Sequence, residues 1–150
     1  MNILFIGGNH KLCIELIYKL LEHKQKFNIV VLDNQRNEYK QNETIKHHFE
    51  YLTGDTFNYC YGNIENKELI YKLCLKHRIN TIINNVKYNV YKTFEENYNS
   101  QINGNFNVFS VVSELEIHKI INITHNFSNN FFHLTKYKKL LSYTSFIDNQ

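Results

Sequence analysis

The chain has 150 residues, a formal net charge of +3 and a hydrophobic fraction of 43%. A chain of this length and composition buries a substantial core, so we expect residues 1–150 to form a single domain. No apolar run approaches the ~18 residues that a membrane-spanning helix needs, so we expect no membrane partner. The lysines alternate with acidic residues and asparagines, whereas a nucleic-acid-binding protein concentrates its basic residues in one patch. We therefore expect no nucleic-acid partner.

The cysteines, the histidines and the first residues of the chain bear on its compartment and on metal binding. Cys13, Cys60 and Cys74 lack CxxC spacing and lie among apolar residues, which predicts reduced, buried and unreactive thiols. The opening stretch MNILFIGG has neither the basic region nor the cleavage site of a secretion signal. Both features predict a cytoplasmic protein. The eight histidines show no HxH or HExxH spacing, so we expect no metal site.

The hydrophobic pattern alternates between short apolar runs, typical of buried strands, and amphipathic segments with helical spacing. The apolar face of the segment 94–115 is expected to include Phe106 and Phe109. The polar stretch 34–56 is predicted to be a loop with a short helical piece. In chain order, we predict strand 2–6, helix 11–24, strand 27–32, strand 57–61, helix 66–77, strand 81–83, helix 94–115, strand 117–123 and helix 133–143.

This alternation predicts an α/β fold in which right-handed crossovers join parallel strands. We therefore expect a Rossmann-type, doubly wound parallel sheet of about five strands, with no separate substrate domain. Such a sheet binds its ligand at the carboxyl ends of the strands. The residues that follow each strand are therefore the candidates for a functional site.

Two adjacent glycines follow the first predicted strand. Gly7 and Gly8 permit a tight bend in which backbone N–H groups approach a diphosphate at the start of the next helix. The later glycine positions of a dinucleotide-binding turn hold His10 and Cys13, so His10 places a side chain where the diphosphate normally meets bare backbone. The sequence leaves two interpretations open, a dinucleotide-binding turn and a plain strand-to-helix turn.

Asp33 ends the second predicted strand. A carboxylate at this point can accept hydrogen bonds from both ribose hydroxyls of an adenosine, which favours NAD over NADP. Arg36 follows closely and would suit the 2′-phosphate of NADP instead. The alternative role for Asp33 is a cap at the end of its strand.

Six stretches resemble, in order and spacing, the N-terminal half of extended short-chain dehydrogenases/reductases. They are MNILFIGG, VVLDN, YGNIENKELIYKL, HRINTIINN, INGNFNVFSVVSELEIHKIINIT and FHLTK. The nearest resemblance is to the NAD-dependent epimerase/dehydratase family, in particular the dTDP-glucose 4,6-dehydratases, of which this chain would be a truncated and degenerate member. The resemblance implies NAD as cofactor. It implies that Gly7, Gly8, Lys11 and Leu12 form the diphosphate turn. It also implies that Asp33 and Asn34 contact the adenosine ribose and that Asn63 and Ile64 flank the adenine.

The resemblance also implies where catalytic residues would lie, and this chain departs from the family there. The family uses a Ser or Thr after the fifth strand and a Tyr-x-x-x-Lys element, whose tyrosine transfers a proton. Thr124 keeps a hydroxyl, but His125 falls on the catalytic threonine and Phe132 on the tyrosine. Lys136 has the spacing of the family lysine, and its alternative role is a surface lysine. We therefore expect these positions to be relics without catalytic activity.

Three functions remain open at this point. The first is a catalytically inactive NAD(P)-binding domain related to nucleotide-sugar dehydratases and epimerases. The second is an active enzyme of that class completed by another chain, and the third is an interaction scaffold that binds no cofactor. A nucleotide sugar is an expected partner by ancestry. An exposed edge strand would also favour a homodimer or a partner chain that covers the sheet edge.

Overall fold

A computed structural model describes residues 1–22, 27–34, 57–86 and 93–123. These residues contain a five-stranded sheet in which every neighbouring pair of strands is parallel. In the order in which they lie across the sheet, the strands are β3 (Phe57–Tyr61), β2 (Asn28–Asp33), β1 (Asn2–Ile6), β4 (Thr81–Asn84) and β5 (Lys119–Asn122).

In the described part of the chain, four α-helical segments accompany the strands. They are α1 (Lys11–Glu22), α2 (Lys67–Lys76), α3 (Phe94–Tyr98) and α4 (Gly104–Glu114). A π-helical turn, Asn99–Asn103, joins α3 to α4 without a break. Thr93 and Glu96 form a capping box at the start of α3, which satisfies the backbone N–H groups that begin this helix.

The central strands are apolar on both faces because helices cover both sides of the sheet. One face contributes Leu4, Leu32 and Ile82 to a core shared with residues of α2 and α4. The opposite face contributes Phe5 and Val31 to a second core shared with α1. The alternation of side chains along each strand therefore distributes a continuous apolar run between two layers.

The predicted Rossmann-type α/β class and the five parallel strands are confirmed. The strand predicted over 117–123 is shorter, at Lys119–Asn122, and the helix predicted over 94–115 contains the π turn. The expectation that Phe106 lies on the apolar face of that helix is wrong, because its side chain points to solvent. The helix predicted over 133–143 and most of the loop over 34–56 lie outside the described residues.

Candidate functional site

The turn after β1 has room only for glycine. Gly7 has a φ of +72°, and a Cβ placed there would lie 2.6 Å from the carbonyl oxygen of Asn85. The backbone N–H of Gly7 donates to the carbonyl of Leu32 at 2.9 Å. A Cβ at Gly8 would lie 2.5 Å from Cγ1 of Val31. Both glycines are therefore required by the close approach of β1 to its neighbours, whether or not a ligand binds.

Asp33 lies beside this turn, at the carboxyl end of β2. Its side chain is only 7% exposed, and its Oδ2 accepts a hydrogen bond from the backbone N–H of Asn9 at 3.0 Å. The side-chain amide of Asn9 in turn donates to the hydroxyl of Tyr59 at 3.0 Å. A buried carboxylate is costly unless it is hydrogen-bonded. The network therefore fixes a negative charge against the glycine turn.

His10 lies directly before α1. Its Nδ1 accepts a hydrogen bond from the backbone N–H of Leu12 at 3.3 Å. That N–H is one of the helix-initiating groups that would otherwise face an anion at the start of α1. Lys11 adds a positive charge beside it, on an exposed side chain whose Nζ lies 3.9 Å from a carboxylate oxygen of Glu15.

Asn63 and Ile64 follow β3 and have different surroundings. The side chain of Asn63 accepts from the backbone N–H of Glu65 at 3.2 Å and shapes the turn before α2. The side chain of Ile64 is buried in the core, against Gly104 of α4. A ligand at this edge would therefore meet the polar groups of Asn63 and not the side chain of Ile64. Asn34, directly after β2, is exposed.

A cluster of asparagines lies at the carboxyl ends of β4 and β5, and no local sequence pattern predicts it. Asn84 and Asn122 are paired in register, and the amide of Asn84 donates to Oδ1 of Asn122 at 3.0 Å and to Oδ1 of Asn105 at 2.5 Å. Within the described ranges, the buried Oδ1 of Asn84 has no hydrogen-bond partner. A buried polar atom without a hydrogen-bond partner costs about 1–3 kcal/mol. A hydrogen-bond donor brought to this end of the sheet would therefore gain a favourable contact with Oδ1 of Asn84.

The thiols in the described part of the chain are poor nucleophiles. Burial raises the pKa of Cys74 to about 12, and burial also raises the pKa of the half-buried Cys60. Cys13 is buried under the glycine turn, where its sulfur lies 3.2 Å from the amide nitrogen of Asn85. Thiolate chemistry at neutral pH is therefore strongly disfavoured at Cys74 and Cys60.

Five positions singled out in the sequence lie outside the described residues: Arg36, Thr124, His125, Phe132 and Lys136. Among the residues that are described, no group of three His, Cys, Asp or Glu side chains could hold a metal ion. In the same residues, no helix has the length and apolar character required to cross a bilayer.

No protein-family model and no curated protein sequence matches the chain. Solved structures do match. A UDP-glucose 4-epimerase from Stenotrophomonas maltophila with bound NAD and formylated UDP-arabinopyranose is 16% identical, with a TM-score of 0.66 over 93% of this chain and 42% of that one. A dTDP-glucose 4,6-dehydratase from Bacillus anthracis in complex with NAD is 16% identical, with a TM-score of 0.64 over 91% of this chain and 43% of that one.

A UDP-glucose 4-epimerase from Bifidobacterium longum in complex with NAD+ and UDP is also similar. It is 16% identical, with a TM-score of 0.64 over 83% of this chain and 37% of that one. The chain thus spans about two-fifths of the length of these proteins. Likeness at this level of identity shows the fold, and it confirms at that level the resemblance to NAD-dependent epimerases and dehydratases predicted from the sequence.

Proposed function

We propose that the chain binds NAD at the carboxyl edge of its sheet and does not itself catalyse the redox chemistry of nucleotide-sugar enzymes. The observation that carries the proposal is the buried carboxylate of Asp33 beside the glycine turn. An ionised carboxylate has two acceptor oxygens, and the N–H of Asn9 donates to one of them. A carboxylate at the carboxyl end of the second strand, beside the glycine turn, suits the hydroxyl pair of an adenosine ribose.

The charge of Asp33 also supports NAD over NADP. A carboxylate accepts hydrogen bonds from two ribose hydroxyls, but it repels a phosphate on the 2′ position. The exposed Lys11 supports a diphosphate at the start of α1. Its pairing with Glu15 is exposed and therefore weak, so the ammonium group is able to turn towards an anion.

Substitutions at the family's catalytic positions support the absence of catalysis. The family proton donor would fall on Phe132, whose ring has no ionisable proton, and the catalytic threonine would fall on His125. General acid–base catalysis typically contributes about 10²–10⁴-fold to a rate. An enzyme that lacks its proton-transfer group would lose most of its activity on a nucleotide sugar.

Calorimetric titration of the full chain with NAD, NADP and ADP-ribose tests the binding proposal. We expect saturable binding of NAD and ADP-ribose, and weaker binding of NADP. Heats no larger than dilution for all three compounds would refute it. In a separate incubation with NAD and either dTDP-glucose or UDP-glucose, we expect no product. Turnover at ordinary enzymatic rates would refute only the proposed lack of catalysis and would favour an active dehydratase or epimerase.

One observation favours a second candidate, an interaction scaffold without cofactor. The imidazole of His10 already satisfies the N–H of Leu12, which a bound diphosphate would otherwise use. If this cap persists, the start of α1 offers one donor fewer to an anion. The same titration distinguishes the two candidates, since a scaffold would bind none of the three compounds.

A further inference from the structure

Four side-chain amides lie together at the carboxyl ends of β4 and β5, and we refer to them as the amide network: Asn84, Gln101, Asn105 and Asn122. The amide of Asn84 donates to Oδ1 of Asn105 and, at 3.0 Å, to Oδ1 of Asn122. Asn105 donates to the backbone carbonyl of Gln101, whose own side chain donates to the backbone carbonyl of Val86 at 3.2 Å. The amide network therefore joins both strand ends to the π turn and to the start of α4.

One oxygen of the amide network is held as an unsatisfied acceptor. The amide nitrogen of Asn84 has two acceptors, but among the described residues its Oδ1 has no hydrogen-bond partner, although the side chain is buried. Reversal of this amide would place its oxygen against Oδ1 of Asn105. Asn105 cannot reverse in turn, because its own amide nitrogen donates to the carbonyl of Gln101. Oδ1 of Asn84 is therefore fixed as an acceptor without a donor.

The neutrality of the amide network selects the kind of ligand that Oδ1 of Asn84 would accept. A phosphate or a carboxylate would present an oxygen to this oxygen and be repelled. An ammonium group would lose its hydration without gaining an opposite charge, which is costly in a buried place. A hard metal ion takes about six or more oxygen ligands, whereas the side-chain oxygens of Asn105 and Asn122 already accept from Asn84. The class that fits is a neutral N–H or O–H donor, such as a carboxamide.

The place of the amide network in the sheet, taken with the proposed function on which this step rests, identifies that carboxamide. The strands β2, β1, β4 and β5 are successive neighbours. Asp33 ends β2, the glycine turn follows β1, and the backbone N–H of Asn85 donates to the carbonyl of Ile6, directly before this turn, at 2.9 Å. Two strand spacings, about 10 Å, separate the end of β2 from the end of β4. A dinucleotide that crosses the glycine turn from Asp33 therefore brings its second nucleoside to the amide network.

We propose that Oδ1 of Asn84 accepts the carboxamide N–H of the nicotinamide of a bound NAD. The carboxamide is neutral, and its N–H would satisfy the acceptor that the amide network leaves open. Asn105 and Asn122 are only half-buried, so the network reaches the surface at the edge where the ring would lie. These two asparagines are positioning residues, because they hold the amide of Asn84 in its orientation.

A purely structural role for the amide network predicts a different behaviour. The hydrogen bonds from Asn84 connect β4 to β5 and to α4 whether or not a ligand binds. A network with this role alone would be indifferent to the substituent on the pyridine ring of the cofactor. A direct contact instead produces a preference for the amide of about tenfold in Kd, which is the effect of one hydrogen bond to a buried acceptor.

Replacement of the amino group of the carboxamide by a methyl group isolates this contact. The probe is acetylpyridine adenine dinucleotide, which has a methyl ketone where NAD has its carboxamide. In calorimetric titrations of the full chain, we expect the Kd of this analogue to be about tenfold higher than that of NAD. Asn84→Leu, which has a similar size and no acceptor, should bind NAD and the analogue with the same Kd.

The matched control is Asn2→Leu. The side chain of Asn2 also donates to two acceptors, the carbonyls of His77 and Arg78, but it lies at the opposite end of the sheet. Asn2→Leu should therefore keep the tenfold preference for NAD over the analogue.

Different results separate the failure of this contact from the failure of the proposed function. Equal Kd values for NAD and the acetylpyridine analogue in the unmodified chain would overturn the Asn84 contact and leave NAD binding at Asp33 intact. This comparison needs no substitution, so it is decisive even if circular dichroism shows that Asn84→Leu fails to fold. A tenfold preference that persists in folded Asn84→Leu would also overturn the contact, since another group would then recognise the amide. If the chain bound neither dinucleotide, the proposed function would fail together with this contact.

Discussion

The substitution Asp33→Asn isolates the charge of the carboxylate from its structural role. Asn and Asp have nearly the same shape, and the amide oxygen of the variant is able to accept the N–H of Asn9 that Oδ2 accepts in the native chain. The fold should therefore persist. What the variant loses is a negative charge that faces the proposed ribose hydroxyls.

The magnitude follows from the difference between charged and neutral hydrogen bonds. A hydrogen bond to a charged group contributes about 1.5–3 kcal/mol, and a neutral one about 0.5–1.5 kcal/mol. Replacing the carboxylate by an amide should therefore cost about 1–1.5 kcal/mol, which corresponds to roughly a tenfold rise in the Kd for NAD. The Kd for NADP should change in the opposite direction, because the variant no longer repels a 2′-phosphate.

Calorimetric titration with both cofactors measures the two changes. The matched control is Glu68→Gln, which removes one carboxylate from the exposed side of α2 and so changes the net charge equally. We expect the control to bind NAD as the native chain does. If Asp33→Asn and Glu68→Gln gave the same Kd for NAD, Asp33 would be a strand cap and not a ligand of the ribose.

Three further predictions address other parts of the molecule. Gly104→Ala should lower the free energy of unfolding by about 1–2 kcal/mol in urea titrations, because the added Cβ would lie 2.5 Å from Cγ2 of the buried Ile64 and this overpacking outweighs the gain in helix propensity. An unchanged free energy of unfolding would show that α4 has room to shift. His10→Gly should lower the Kd for NAD, because the variant has no imidazole that occupies the N–H of Leu12 at the start of α1; an unchanged or raised Kd in calorimetric titration would contradict this. Cys74, whose pKa burial raises to about 12, should resist alkylation at pH 8 in the folded chain and react once it is unfolded in urea; rapid labelling of the folded protein, read by peptide mass spectrometry, would contradict its burial.

The strands could be predicted from the sequence because their apolar runs are short and end at glycine or at polar residues. Gly7-Gly8 and Asp33 mark the ends of β1 and β2 in this way. The strand–helix alternation then leaves few arrangements other than a parallel sheet. Local pattern was sufficient for the fold because each crossover follows the same handedness.

Contacts between distant residues could not be predicted. The asparagine cluster depends on the register that pairs Asn84 with Asn122, and a register cannot be read from one strand alone. The close packing of Gly104 on Ile64 likewise joins two separate elements. Phe106 points outward because Gly104, Val108 and Val111 of α4 face the core, and the buried face of a helix with apolar residues on several sides is decided by the elements that it packs against.

An NMR titration of the full chain with NAD shows whether the cofactor binds at the glycine turn. Amide resonances report each backbone N–H separately, so the position of a bound diphosphate can be read from them. We predict saturable shifts that are largest for Gly7, Gly8, Asn9 and Leu12, with smaller shifts at Asn34 and Asn63. A spectrum that NAD leaves unchanged, or shifts confined to the far ends of β3 and β5, would contradict this prediction.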